Sequence, residues 1–298
     1  MSWRLRLGDV VVQRVGEMLS PGFDPAFLFP DFDPAVFDED LQLRGPNFWD
    51  LAAGKLMSSM QSWVLRVGAE IVVIDTGCGN DKIRDEPAFA RFHRLSLPYL
   101  QTLAAAGVRP EDVTTVINTH LHVDHVGWNT RWDGGRWVPT FPRARYVIGA
   151  AEWAHWQDPQ GGPALHPQGL PAIEDSVRPV WKAGLVELVS DGDEILPGLT
   201  ARAAPGHTAG QLAIELGAGG LFTADVFHQP MQIVRPDWNS RFCEVPEQAI
   251  ATRRRILERA VAEQTVLFPS HPGAPHAGRI GGTALHMRFV PLRPEELT

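Results

Sequence analysis

The sequence predicts an α/β fold, and three observations carry that prediction. Short β-branched runs alternate with helical stretches, the clearest runs each end on a polar residue, and two long segments repeat apolar residues at helical spacing. The predicted strands are Ile71–Ile74, ending in Asp75-Thr-Gly77; Thr114–Thr119, ending in His120; Gly220–Ala224, ending in Asp225; and Thr265–Phe268, ending in Pro-Ser-His271. Open α/β sheets bind ligands at the carboxyl ends of their strands, where loops from distant parts of the chain converge. Ends that carry Asp or His are therefore candidate site positions.

The spacing predicts a helix over Pro87–Ala106, interrupted at Pro98 and stopped by Gly107. A second runs over Glu247–Glu263, with Ile250, Ile256, Leu257, Ala260 and Val261 on one face. Within it, Arg253–Arg255 reads as a solvated basic face, with Glu258 and Glu263 nearby. Two segments lack a period. Residues of about 17–60 are rich in Phe, Pro and Asp, which fits a lid, a pocket wall, a subunit contact or packing against the core. Residues of about 128–171 carry Trp128, Trp132, Trp137, Trp153 and Trp156.

At 298 residues the chain fits one large domain, 1–298. Its 44% hydrophobic and 21% charged residues are globular, and no apolar run reaches the roughly 20 residues needed to cross a bilayer. Arg4, Arg6 and Asp9 interrupt the start, so a secretory core is not expected and the predicted location is cytoplasmic. A net charge of −8 argues against a nucleic-acid partner. Cys78 and Cys243 are far apart and outside any thiolate-metal spacing. Cys78 is expected to be a small buried residue.

The chemistry is concentrated in Thr119-His120-Leu-His122-Val-Asp124-His125-Val-Gly127. Ligand-capable side chains packed this densely are hard to satisfy in an apolar core, because each needs its own hydrogen-bond partner. At a strand end, His120 and His122 can turn one way while Asp124 and His125 face a neighbouring ion. Imidazole with carboxylate suits zinc and similar divalent metals, and a catalytic site keeps a position for water. Further ligand candidates follow later strands: His207 in Pro205-Gly-His-Thr-Ala-Gly210, Asp225, and His271 in Pro269-Ser-His-Pro-Gly273.

The ordered set DTG, HxHxDH, GHTxGQ, AD and SHPG resembles the metallo-β-lactamase superfamily over roughly residues 60–275. The resemblance implies an αββα sandwich of two mixed sheets flanked by helices. It also implies one metal held by His120, His122 and His207, a second held by Asp124, His125 and His271, and Asp225 bridging both. Asp75 has no ligand slot in this scheme; it orients a ligand histidine or caps the turn. His93, His155, His166, His276 and His286 read as ordinary surface or pocket residues. His228 stands apart, because Asp225-Val-Phe-His228 resembles the branch of methyl parathion hydrolase, whereas many acyl-homoserine lactonases carry tyrosine there.

Such a site holds two divalent ions, zinc first, with manganese, cobalt or iron as alternatives. A metal-bridging hydroxide would attack a lactone or carboxylic ester, Asp124 would pass a proton to the leaving alkoxide, and His228 would donate a hydrogen bond to substrate. The abundant Trp and Phe favour a hydrophobic acyl or aryl group. Organophosphate triester hydrolysis is the second reading, followed by β-lactam or thioester hydrolysis. A degenerate metal-binding protein is the non-enzymatic alternative. A homodimer is expected from the Phe-rich segment.

Overall fold

The computed structural model describes residues 3–283 and 286–297, which form two compact units. One comprises residues 3–17 and 60–190, the other Met18–Ser59 and Asp191–Leu297.

In the first unit the strands Glu70–Ile74, Thr115–Asn118, Arg145–Gly149 and Val186–Val189 run parallel in that order, with Val72 opposite Thr115 and Val116 opposite Tyr146. All of Thr115–Asn118 is buried, as expected of a strand covered on both faces. Because neighbouring parallel strands end at the same edge, the residues after Ile74 and after Asn118 emerge side by side. Val73, Val116, Tyr99, Leu103, Val108 and Tyr146 fill the core behind them.

The predicted helix over Pro87–Ala106 is two shorter pieces: a 3₁₀ turn at Pro87–Phe92 and an α-helix at Tyr99–Ala105. Proline disfavours helical backbone in the residue before it, so Pro98 opens a new helix and the old one does not continue to it. The tryptophans are distributed through this unit. Trp128 stacks on Tyr99 with centroids 5.1 Å apart, Trp132 meets Trp137 across the hairpin Thr130–Asp133/Arg136–Pro139, and Trp153 stacks on Trp181 at 4.2 Å.

The second unit is built on a sheet in the order Glu194–Leu196, Leu199–Ala203, Leu212–Leu216, Gly220–Ala224, Val266–Pro269, Gly278–Thr283 and His286–Pro291. Only the pair Gly220–Ala224 and Val266–Pro269 is parallel, and the helix Pro246–Glu263 is the crossover between them. Ile256, Leu257 and Ala260 bury that helix against Ala213, Leu221, Leu267 and Ile280.

The expected solvated face at Arg253–Arg255 is corrected at its first residue. Arg254 and Arg255 are exposed, but Arg253 is wholly buried. Its guanidinium donates to the carbonyls of Val226 (2.9 Å), Pro236 (2.7 Å) and Trp238 (2.8 Å), and to Asn239 Oδ1 (3.3 Å). A dense set of carbonyl acceptors, rather than water, solvates this cation.

The Phe-rich segment packs within its own unit: Phe29, Phe37 and Leu43 are buried with Met231 and Trp238, and Phe32 contacts Phe37, Trp49 and Trp238. Among the described residues no helix is long and apolar enough to cross a membrane.

Candidate metal centre

In the first unit, Thr119 to Val126 forms a tight turn at the end of Thr115–Asn118. Its apolar residues Leu121, Val123 and Val126 are buried and anchor it, which leaves His120, His122, Asp124 and His125 grouped together. The His120 ring centroid lies 4.7 Å from that of His122 and 4.0 Å from that of His125, and His125 Nε2 lies 3.8 Å from Asp124 Oδ1. The turn is fixed from behind. Asp75 adopts φ 54°, a left-handed conformation that costs free energy in a non-glycine residue. There its carboxylate accepts from Thr119 N (2.8 Å), from Thr119 Oγ1 (2.9 Å) and from His125 Nδ1 (2.8 Å). Glu152 adds a second anchor by accepting from Leu121 N at 3.0 Å.

The second unit groups His207, Asp225, His228 and His271. Asp225 and His271 follow the two parallel strands and so emerge at one edge; His271 Nε2 lies 3.1 Å from the Asp225 carboxylate. His207 Nε2 and His228 Nε2 each lie 3.3 Å from Asp225 Oδ2. Ala224, at φ 48° beside a register shift, makes the sharp exit that presents Asp225. His271 is held through Nδ1 by the carbonyl of Ser59 at 3.1 Å, and Ser59 N donates back to the His271 carbonyl. The His228 amide donates to Gln232 Oε1 (2.7 Å), while Gln232 Nε2 reaches the Trp238 carbonyl that Arg253 also binds. Burial lowers the pKa of His228 against the opposing pull of Asp225.

The donor chemistry fits divalent ions. A carbonyl only accepts, so His271 Nδ1 carries a proton, and its Nε2 faces carboxylate oxygens 3.1 Å away. A divalent ion among them would be bound by the imidazole and the carboxylate together. His125 is arranged alike, with Nδ1 on Asp75 and Nε2 turned toward Asp124. Metal-binding histidines have this pattern, one ring nitrogen tied to an acceptor and the other free to ligate.

Residues 60–271 match the sequence profile of the Metallo-beta-lactamase superfamily. The chain belongs to that superfamily.

A probable metallo-hydrolase of Mycobacterium tuberculosis is 29% identical over 170 residues, 50% of this chain and 49% of its own length, so the chain spans about half of that relative. An N-acyl homoserine lactonase of Bacillus thuringiensis is 24% identical over 236 residues, covering 74% of this chain and 84% of the lactonase. Among solved structures, hydrolase AbOPH superposes with a TM-score of 0.80 at 22% identity over 98% of this chain and 97% of its own. The α/β sandwich of the metallo-β-lactamase superfamily is therefore the fold of this chain.

Several contributors to this metallo-β-lactamase-fold site carry no signal in the sequence. Ser59 lies 212 positions from His271, and Glu152 reaches Leu121 from a helix whose other polar residues look equally ordinary. His166, expected to be unremarkable, has its ring 6.0 Å from that of His122, and Gln168 contacts its Nδ1 at 3.2 Å. Gln168 also lines a cavity of about 740 Å³ in the first unit, walled by Ile83, Phe89, Trp132 and Trp137. Gly127 is a glycine whose place the site dictates: a Cβ there would lie 1.9 Å from the Cys78 carbonyl carbon.

Proposed function

We propose that this metallo-hydrolase is a binuclear metal-dependent enzyme that opens lactones or cleaves carboxylic esters. His120, His122 and His207 would hold one ion and Asp124, His125 and His271 the other, with Asp225 shared, in one metallo-β-lactamase-fold domain. The observation that carries the reading is the donor pattern: His125 and His271, each tied through Nδ1 to an acceptor, present Nε2 to carboxylates. Bound divalent ions, zinc first, would bring water to near-neutral acidity and polarise the bond under attack.

The chain's own groups do the rest. Asp124, largely buried beside His125, would take up and return a proton. His228, tied by its amide to Gln232, would donate a hydrogen bond to substrate. The lactonase relative supports a lactone substrate, and the tryptophan-walled cavity near His166 supports a hydrophobic group on it. The Asp225–His228 arrangement favours triester hydrolysis as the second activity. A cytoplasmic location and a homodimer belong to the same proposal.

The test is a kcat/KM comparison across acyl-homoserine lactones, aryl esters, a phosphotriester and a β-lactam, with and without chelator. Lactone or ester turnover that chelation abolishes and zinc restores is expected. Metal-independent inactivity toward all of them refutes the assignment, and an unchanged kcat/KM in His228→Ala removes His228 from it.

A further inference from the structure

Glu17 is the last residue of the first unit's N-terminal segment, in the strand Val10–Pro21, and it is buried. A carboxylate buried in a strand is costly unless its oxygens are satisfied, and here donors from two separate loops satisfy them. Its Oε2 accepts from Cys78 N at 2.7 Å, while Oε1 accepts from Gly79 N at 3.0 Å and from the indole Nε1 of Trp128 at 2.7 Å. Burial raises its pKa, and the amide and indole donors oppose that rise by favouring the ionised form.

The two loops are the ones that fix His125. The first begins with Asp75, whose carboxylate receives His125 Nδ1. The second continues from His125 through Gly127 to Trp128. They are laced together by Thr76 N to the His125 carbonyl (2.7 Å), Gly127 N to the Gly77 carbonyl (2.7 Å) and Trp128 N to the Thr76 carbonyl (2.9 Å). Glu17 closes this ladder at its open end, one carboxylate gripping both strands of it. The carboxylate also accounts for the glycine of the Asp-Thr-Gly motif: a Cβ on Gly77 would lie 2.2 Å from Glu17 Oε2.

We propose that Glu17 is a positioning residue for the metal centre, setting the Asp75–His125 pair by clamping residues 77–79 to Trp128. This rests on the metallo-hydrolase reading above but assigns a role to a residue that lies outside its ligand set. Glutamine cannot replace it, because an amide has one acceptor oxygen. Placed either way round, its NH₂ group would face at least one of Cys78 N–H, Gly79 N–H and Trp128 Nε1–H.

The experiment compares wild type, Glu17→Gln and Trp128→Phe by zinc affinity in chelator competition, by metal stoichiometry and by the visible spectrum of the cobalt-loaded protein. Circular dichroism and Tm monitor folding. For folded Glu17→Gln, one of the two bound metals is expected to weaken by about tenfold or more, the scale of lost outer contacts at metal sites, with an altered cobalt spectrum. Trp128→Phe keeps the ring on Tyr99 and removes only one donor, so a smaller change in the same direction is expected, and it serves as the test if Glu17→Gln does not fold. Unchanged affinity and spectrum in folded Glu17→Gln, or in Trp128→Phe where that is the only folded variant, overturn the proposal while leaving the functional reading intact. A wild type that binds no metal overturns both.

Discussion

Lys82 lies wholly buried in the first unit, where its ammonium donates to Thr130 Oγ1 (2.6 Å) and to the Asp175 carbonyl (3.2 Å) and sits 3.5 Å from the centroid of the Trp137 ring. Asp175 is already engaged by Arg84 in a bidentate pair at 2.6 and 3.0 Å, so two cations share one carboxylate. Burial, only partly offset by Asp175 and worsened by Arg84, brings the Lys82 pKa from 10.5 down to about 7. At about 1.4 kcal/mol per pH unit, that difference costs the folded state about 5 kcal/mol when the ammonium is fully charged. The sign follows from proton counts. Between about pH 7 and 10.5 the unfolded chain holds a proton that folded Lys82 has released, so stability rises with pH across this window. Lys82→Met removes the charge and strands no partner, because Arg84 keeps Asp175 and Thr130 still donates to the Asp175 carbonyl.

The variant should therefore be more stable than wild type at pH 6, by about 1–4 kcal/mol as for other replacements of buried charge by apolar groups. From pH 6 to pH 9 that advantage should shrink by about 3 kcal/mol, two pH units of the linkage slope. Urea unfolding with matched m-values at both pH values measures it. An advantage that is constant, or that grows toward pH 9, refutes the reasoning.

The other predictions concern the site and its supports. Asp75→Asn leaves one acceptor oxygen for both Thr119 N and His125 Nδ1; with that oxygen on Thr119 N, the NH₂ faces His125 Nδ1 and imposes the tautomer with hydrogen on the ligating nitrogen. Competition titration should show the metal at His125 bound about 10–100-fold more weakly, and an unchanged affinity would remove Asp75 from the site. Arg253→Met leaves the carbonyls of Val226 and Pro236 without their donor, while the Trp238 carbonyl keeps Gln232 Nε2. At about 1 kcal/mol or more for each buried acceptor, unfolding should show a loss of about 2 kcal/mol, and a neutral result would mean that water replaces the guanidinium.

What was legible in the sequence was whatever lies close along the chain. His120 to His125 announce themselves because they are adjacent, and the four polar strand ends follow from short apolar runs that the structure reproduces to within a residue or two. Asp75 ends a strand parallel to the one that leads to His120, a pairing that only the structure shows. Arg253 was misread because a helix face is assigned from its charges, whereas its surroundings come from residues 226, 236, 238 and 239 on loops that the helical period does not describe. Glu17 is a single acid in a strand that also carries Gln13, Arg14 and Ser20, and Ser59 acts through its backbone; neither has a residue-type pattern by which to be found. The helix break at Pro98 was visible, but not that residues 93–97 would leave the helix altogether.

Anomalous diffraction from crystals grown with zinc is the decisive measurement for the proposed two-metal site. Two peaks are expected about 3.5–4 Å apart, the spacing of two-metal sites, one among His120, His122 and His207, the other among Asp124, His125 and His271, with Asp225 touching both. A single peak elsewhere, or none beside His125 and His271, would contradict it.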